Sequence, residues 1–125
     1  MSALILDAGA LVAVNRGDRA MIARLRAAQQ HGLDLRSNAM ALAQVWRDGA
    51  RQATLSKMLR NPGLVEAPLC HDDAKRIGEL LRDSGTSDVV DAHVAVLAAH
   101  LRAPVITSDP ADISRLNAAI EIIDI

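Results

Sequence analysis

The alternation of short apolar runs with amphipathic segments constrains the fold of this chain more than any other feature of its sequence. The apolar runs have the length of strands and occupy residues 3–6, 33–35, 64–69, 104–107 and 120–125. The segments between them place apolar residues at helical spacing, most clearly in residues 88–101. Strands that alternate with helices indicate an α/β protein with a mostly parallel central sheet, here of about five strands. Pro68 makes the run at 64–69 an edge strand, because proline cannot donate a hydrogen bond to a neighbouring strand.

We expect one domain over residues 1–125, because the sequence contains no linker and no low-complexity segment. The only cysteine, Cys70, cannot form an internal disulfide, which favours a reducing, cytoplasmic setting. No apolar run approaches the roughly 20 residues of a membrane-spanning helix, so we expect no membrane association. A net charge of -1 removes the simplest argument for nucleic-acid binding, and one Trp without Phe or Tyr excludes a base-stacking module.

Aspartates stand where a parallel sheet places its functional crevice. Asp7 and Asp109 each follow a buried run, and the carboxyl ends of parallel strands meet at one edge of the sheet. Asp88 and Asp91 lie three residues apart at the start of the clearest helix, and therefore on one face of it. Asp112 completes a repeated pattern, since residues 86–91 and 107–112 both read Thr-Ser-Asp-x-x-Asp at a helix start.

Helix capping is the alternative interpretation of these acids, and for Asp88 and Asp112 taken singly the sequence does not decide between the two. Capping of all five is harder to accept, because Asp7 follows a strand that no polar side chain needs to end. Thr107 and Ser108 either hold Asp109 and an attacking water or simply form a turn.

A shared crevice of carboxylates requires neutralisation. Two unit charges ~5 Å apart repel by about 3 kcal/mol at an effective dielectric of ~20. Retained protons or a divalent cation relieve this repulsion. Ligation by oxygen alone suits Mg²⁺ or Mn²⁺, and the sequence lacks the cysteine and histidine spacing of a zinc site. An acidic pocket that holds Mg²⁺ is suited to phosphoryl chemistry.

Four segments together resemble the successive motifs of PIN domains, in particular of the small VapC-type toxins of bacterial toxin–antitoxin pairs. They are Leu-Ile-Leu-Asp-Ala-Gly-Ala-Leu at 4–11, Ala-Gln-Val-Trp-Arg-Asp-Gly at 43–49, Asp-Ala-His-Val-Ala at 91–95 and Val-Ile-Thr-Ser-Asp at 105–109. The resemblance covers essentially the whole chain, in order. It implies a three-layer α/β/α fold and an RNase that uses Mg²⁺ or Mn²⁺. It also implies an antitoxin partner that occludes the acidic groove, and a homodimer.

The resemblance assigns roles by position. Asp7 is similar to the first acid of the family and Asp91 to the third, the pair that anchors the metal. Asp109 matches the fourth acid and a further metal ligand, and Asp88 and Asp112 match supporting acids.

The second acid of the family, a Glu, is replaced here by Gln44. Glutamine supplies no negative charge and cannot act as a base, so metal affinity and water activation should both fall. A weakened natural member and a substitution introduced to make a toxic protein expressible both fit this departure.

Arginines provide candidate contacts to the RNA backbone. Arg47, one turn from Gln44, is the best single candidate, and Arg16 follows the first helix. Exposed arginines on helices are also common as a merely solvated face. His93 points away from Asp91 on the same helix and is interpreted as structural, and Trp46 as a core or subunit-contact anchor.

Two other functions compete with the ribonuclease. A catalytically silent PIN domain that binds RNA or a partner protein is favoured by Gln44. A phosphoryl-transfer domain of the haloacid-dehalogenase type would use Asp7 as its nucleophile. That class needs Asp-x-Asp after the first strand, and Gly9 stands at the second position.

Overall fold

A computed structural model describes residues 3–60 and 64–125. The strands are β1 (Ala3–Leu6), β2 (Asp34–Asn38), β3 (Leu64–Ala67), β4 (Val105–Thr107) and β5 (Ile122–Asp124). The helices are α1 (Ala8–Asn15), α2 (Arg19–Gln30), α3 (Ala39–Val45), α4 (Ala53–Met58), α5 (His71–Ser84), α6 (Val89–Leu101) and α7 (Pro110–Leu116), and a 3-10 turn covers Gly49–Arg51. The predicted alternation of strands and helices is therefore confirmed. The predicted turn at 61–63 lies outside the described residues.

The five strands form one parallel sheet in the order β3-β2-β1-β4-β5. The chain builds the sheet outward from β1 through β2 to β3, and then returns to add β4 and β5 on the other side of β1. The direction of winding therefore reverses between β1 and β4, and such a reversal leaves a crevice beyond the carboxyl ends of the two strands. Asp7 and Asp109 follow these two strand ends. The prediction of β3 as an edge strand is confirmed.

Helices cover both faces of the sheet, as the three-layer expectation requires. Alternate residues of β1 face opposite sides: Leu4 and Leu6 belong to the core beneath α1, α2, α3 and α4. Ala3 and Ile5 belong to the core beneath α6 and α7. Helix α5 packs on the outer side of α6. Burial of β1 on both faces explains why its sequence is continuously apolar.

The end of β2 differs from the prediction. The strand continues to Asn38, whereas the sequence indicated only 33–35. Ser37 donates its hydroxyl to the Leu6 carbonyl at 2.7 Å, and Asn38 caps α3 by accepting from the Ala41 N–H at 2.6 Å. These buried polar side chains find their partners within the fold, so the strand does not need to be apolar here. The amide of Asn38 also donates to the Val90 carbonyl at 3.4 Å, which ties α3 to the first turn of α6.

A buried glutamine ends α3 at Val45, whereas the sequence predicts a helix that continues through Trp46 until Gly49 interrupts or kinks it. The Gln52 side chain accepts from the Arg47 and Asp48 N–H groups at 2.7 and 3.0 Å, and donates to the Val45 carbonyl at 2.9 Å. It therefore satisfies three backbone groups that a continued helix would have paired otherwise. Within the described residues, no helix is long and apolar enough to cross a membrane.

Candidate active site

Asp7 lies at the carboxyl end of the central strand and is 3% exposed. Its carboxylate caps α1 by accepting from the Ala10 N–H at 2.9 Å. The sequence argument that this acid ends no element in need of a cap is therefore wrong, because the strand turns into a helix without an intervening loop. Burial raises the pKa of Asp7, and Asp109 raises it further. Hydrogen bonds from Thr107, Ala10 and Gly9 act in the opposite direction.

Thr107 connects the acid of β1 to the acid that follows β4. The side chain is fully buried, and its hydroxyl oxygen accepts from the Asp109 N–H at 2.9 Å. The same hydroxyl stabilises the Asp7 carboxylate. Thr107 thus fixes the turn that presents Asp109, while Asp109 itself is exposed and makes no capping hydrogen bond to α7.

Gly9 allows α1 and the β4–α7 turn to approach each other closely. A Cβ at this position would collide with the Ser108 hydroxyl and lie 3.4 Å from an oxygen of Asp7. Any larger residue would therefore displace the Ser108 hydroxyl from its position against α1. Ser108 is exposed and forms part of this contact with α1.

Asp91 couples electrostatically to all four other predicted acids. It lies in the first turn of α6 and is partly buried. Burial raises the pKa of Asp91 from 3.8 to about 6, with further contributions from Asp88, Asp7, Asp112 and Asp109 in that order. Residues from the starts of α1, α6 and α7 therefore share one electrostatic environment. Asp88 also caps α6 through the Asp91 N–H at 3.0 Å.

An open cleft of about 300 Å³ is lined by Asp88, Asp91 and Asp112. The loop 85–87 forms part of its wall, and Arg115 contributes a positive charge to it. The sequence analysis missed Arg115. Its signal is the spacing from Asp112, because residues three apart on a helix share a face.

The carboxylates at this edge of the sheet fit a hard divalent cation only if water or substrate supplies the rest of its ligands. Among residues 3–60 and 64–125, no three Asp, Glu, His or Cys side chains are close enough together to form a complete metal cage. Mg²⁺ commonly binds through one or two carboxylates, with water and substrate phosphates as its other ligands. Asp7 and Asp91 are the two acids with raised pKa values and the greatest burial of the five, and they fit such a site.

Neither Gln44 nor Arg47 is among the residues that shift the pKa of Asp91. Gln44 is exposed in the second half of α3, and its side chain makes no hydrogen bond within the described part of the chain. Arg47 is exposed, and its guanidinium donates to the carbonyls of Ala43 and Trp46 at 3.0 and 2.6 Å. One nitrogen of this guanidinium, Nη1, therefore makes both hydrogen bonds to the carbonyls at the end of α3.

Arg16 follows α1 and lines a second groove, which also reaches Gly9 and Ser108.

His93 is 1% exposed, and burial lowers its pKa, as suits a neutral histidine inside the protein. Trp46 packs against the larger hydrophobic core. Its ring also covers Gly49, and a Cβ added to Gly49 would lie 3.1 Å from a carbon of that ring.

The sheet order and the acids that gather beyond the ends of β1 and β4 define a three-layer α/β domain with an acidic edge. The chain belongs to the PIN domain family, because the sequence model of that family matches residues 4–118. Members of this family are typically nucleases that depend on a metal. This assignment leaves the haloacid-dehalogenase alternative without support. A comparison with curated proteins gives no significant match.

Solved structures of toxin–antitoxin complexes share the fold. The structure of VapBC2 from Rickettsia felis bound to a promoter DNA fragment aligns with a TM-score of 0.72 and 15% identity, covering 98% of both chains. FitAB bound to the IR36 DNA fragment gives 0.65 and 11%, covering 97% of this chain and 94% of that one. FitAcB from Neisseria gonorrhoeae gives 0.64 and 13%, covering 97% and 96%.

Proposed function

We propose that this chain is a divalent-metal-dependent endoribonuclease and the toxin of a toxin–antitoxin pair. The observation that carries the proposal is the coupling of Asp91 to four other carboxylates within a PIN domain. Such a concentration of like charge is unfavourable in a folded protein unless a cation or a proton compensates it. Burial is the largest cause of the raised pKa of Asp91, and repulsion by four carboxylates adds to it. A bound divalent cation would offset both the lost hydration and the repulsion.

Asp7 and Asp91 would hold Mg²⁺ or Mn²⁺, with water and the scissile phosphate as its other ligands. The prediction of Asp109 as a further ligand is not supported, because no three Asp, Glu, His or Cys side chains of the described residues lie close enough together, and Asp109 would add negative charge beside the site. The cation would supply an orienting charge for the scissile phosphate and would lower the pKa of the attacking water. The Asp7 carboxylate accepts hydrogen bonds from the Ala10 N–H, the Thr107 hydroxyl and the Gly9 N–H, which leaves about one of its four lone-pair positions for this role. Asp7 is buried at the strand end, where its hydrogen bond from the Ala10 N–H orients the carboxylate.

The supporting residues set the geometry of these ligands. Asp88 holds the first turn of α6 by its cap, and Thr107 holds Asp109. Asp112 adds negative charge to the cleft beside Asp91. Arg47 and Arg16 are proposed to contact RNA phosphates, Arg47 through the nitrogens that do not close α3.

The partners follow from the relatives. The solved structures that share the fold contain the toxin–antitoxin assemblies VapBC2, FitAB and FitAcB. We infer an antitoxin that covers the acidic cleft, a homodimer, and action in the cytoplasm, where RNA is the substrate.

One observation favours a second candidate, a PIN domain that binds RNA or a partner without cleaving it. Gln44 stands where the family resemblance places an acid, and an amide cannot accept a proton from water. Five carboxylates remain, four of which act electrostatically on the fifth, Asp91, and this number favours the active enzyme.

The test is cleavage of a single-stranded RNA pool by the purified chain with Mn²⁺. Cleavage should occur in the native chain and fall at least about a hundredfold in Asp91→Asn, as for loss of a group that acts on the reacting phosphate. Asp72→Asn is the matched control, because it removes an equal charge from the far end of α5, about 20 Å along the helix from its cleft-side end. RNA binding without cleavage in the native chain would establish the silent domain instead. Equal cleavage by both variants would place the active site elsewhere.

A further inference from the structure

A second groove extends from the candidate active site along the junction of α1 and α2. Its volume is about 340 Å³, and its lining includes Gly9, Arg16, Asp18, Arg24, Ser108 and Asp124. We propose that this α1–α2 groove holds the sugar–phosphate backbone of the RNA strand on one side of the scissile phosphate, through Arg16 and Arg24. The inference rests on the proposed ribonuclease function, because it requires RNA as the substrate.

The groove begins at the residues that surround Asp7. A Cβ added to Gly9 would lie 3.4 Å from an oxygen of Asp7 and would collide with the Ser108 hydroxyl, so these three residues are neighbours. Both Gly9 and Ser108 line the groove. Arg16 follows Gly9 by seven residues, which corresponds to about 10 Å along α1. A strand whose phosphate reacts at Asp7 would therefore pass Arg16 within one or two nucleotides.

The two arginines are available to an anion. Arg16 and Arg24 are exposed, and neither forms an ion pair within residues 3–60 and 64–125. In that part of the chain, the arginines that do form ion pairs are Arg36, Arg51 and Arg82. A guanidinium presents paired N–H donors that match the oxygens of a phosphate.

Two carboxylates also line the groove, and they act differently. Asp18 caps α2 by accepting from the Met21 N–H at 3.0 Å, and the positive end of the helix dipole offsets its charge. Asp124 is exposed on β5 and makes no hydrogen bond or ion pair to a described side chain. The negative charge of Asp124 therefore repels a phosphate in this groove. Removing this charge should strengthen RNA binding, whereas removing either arginine should weaken it.

The experiment measures the affinity of a short fluorescein-labelled single-stranded RNA by fluorescence anisotropy, over a range of salt concentrations. All proteins carry Asp91→Asn, so that the RNA is not consumed. Arg16→Ala and Arg24→Ala should each weaken binding about tenfold, as for loss of a charge-assisted hydrogen bond. Each should also reduce the slope of log K against log salt by about 0.7. Asp124→Asn should tighten binding about twofold under the same repulsion.

Arg26→Ala is the matched control. It lies two residues from Arg24 on α2, and therefore on the opposite face, where it lines a separate apolar cleft beside Met58. Arg26→Ala should leave both the affinity and the salt slope unchanged. Arg24→Lys should retain the slope, because it keeps the charge, whereas a misfolded variant would not.

The outcomes separate this proposal from the function on which it rests. Equal losses in Arg24→Ala and Arg26→Ala, or weaker binding in Asp124→Asn, would overturn the groove assignment while RNA binding and cleavage remain. A chain that neither binds nor cleaves RNA would overturn the proposed function itself, and with it this groove.

Discussion

The substitution Asp91→Asn should stabilise the folded chain when no divalent ion is present. Burial and four neighbouring carboxylates raise the pKa of Asp91 from 3.8 to about 6. A pKa difference of about two units between the folded and unfolded chain corresponds to a free energy of about 3 kcal/mol, at 1.36 kcal/mol per unit. Because the side chain is partly exposed, solvent screens these interactions, and we expect about half of that value, about 1–2 kcal/mol at neutral pH.

The sign follows from the direction of the shift. The pKa of Asp91 is higher in the folded chain than in the unfolded chain, so the folded state binds the proton more tightly. Below about pH 4 both states are protonated and the penalty is absent. The native chain should therefore lose stability relative to Asp91→Asn as the pH rises from about 4 through about 6, and the loss should be complete above about pH 7.

Thermal denaturation followed by circular dichroism in EDTA measures this difference. At about pH 8 Asp91→Asn should melt about 4–8 °C above the native chain, and at about pH 4 the two should coincide. Asp72→Asn controls for the loss of one negative charge, and it should not melt above the native chain at about pH 8, because Asp72 lies in the first turn of α5, where the helix dipole favours a negative charge. A variant Asp91→Asn that melts at or below the native temperature at pH 8 would refute the argument that the five carboxylates repel one another.

Three further outcomes test the site. Mn²⁺ in a hundredfold excess over its Kd should stabilise the native chain by about 2.7 kcal/mol, and Asp7→Asn should abolish the shift in Tm; a surviving shift would move the metal site elsewhere. Gln44→Glu should raise Mn²⁺-dependent cleavage of RNA and growth inhibition on expression, and equal activity in both forms would remove position 44 from the site. Gly9→Ala should destabilise the chain by about 1–3 kcal/mol through its collision with Ser108, as measured by urea unfolding, and Ser108→Gly should restore most of the loss; an unchanged stability would show that the contact is easily relieved.

The elements that the sequence located well carry their own local signals. The sequence predicts a short helix from Pro110 to Leu116, and the structure confirms both bounds of α7. Proline favours the first turn of a helix, so Pro110 marks the start. The sequence also predicts that Asp18 caps the helix after it, and this is confirmed by a hydrogen bond to a residue only three positions away. The parallel order of the strands follows from their alternation with helices, which leaves few other topologies.

The features that the sequence located poorly depend on contacts between distant residues. The end of α3 at Val45 is fixed by Gln52, seven residues further along, and no local helix signal contains that information. The length of β2 depends on Leu6, because its carbonyl accepts the Ser37 hydroxyl. The place of Arg115 in the acidic cleft likewise follows from how α7 packs against α6.

Capping and metal binding are alternatives for these acids at the level of the sequence, but the structure makes the two roles compatible at Asp7, which caps α1 at the edge where the acids gather. The five acids all stand at or within the first turn of a helix: Asp7 at α1, Asp88 and Asp91 at α6, and Asp109 and Asp112 at α7. The positive ends of three helix dipoles therefore meet where the carboxylates gather, and they offset part of the repulsion. A carboxylate has about four lone-pair positions, and a cap uses one of them. A capping aspartate can consequently hold its helix and still offer oxygens to a cation, so a site of this kind can be assembled from the ordinary starts of helices.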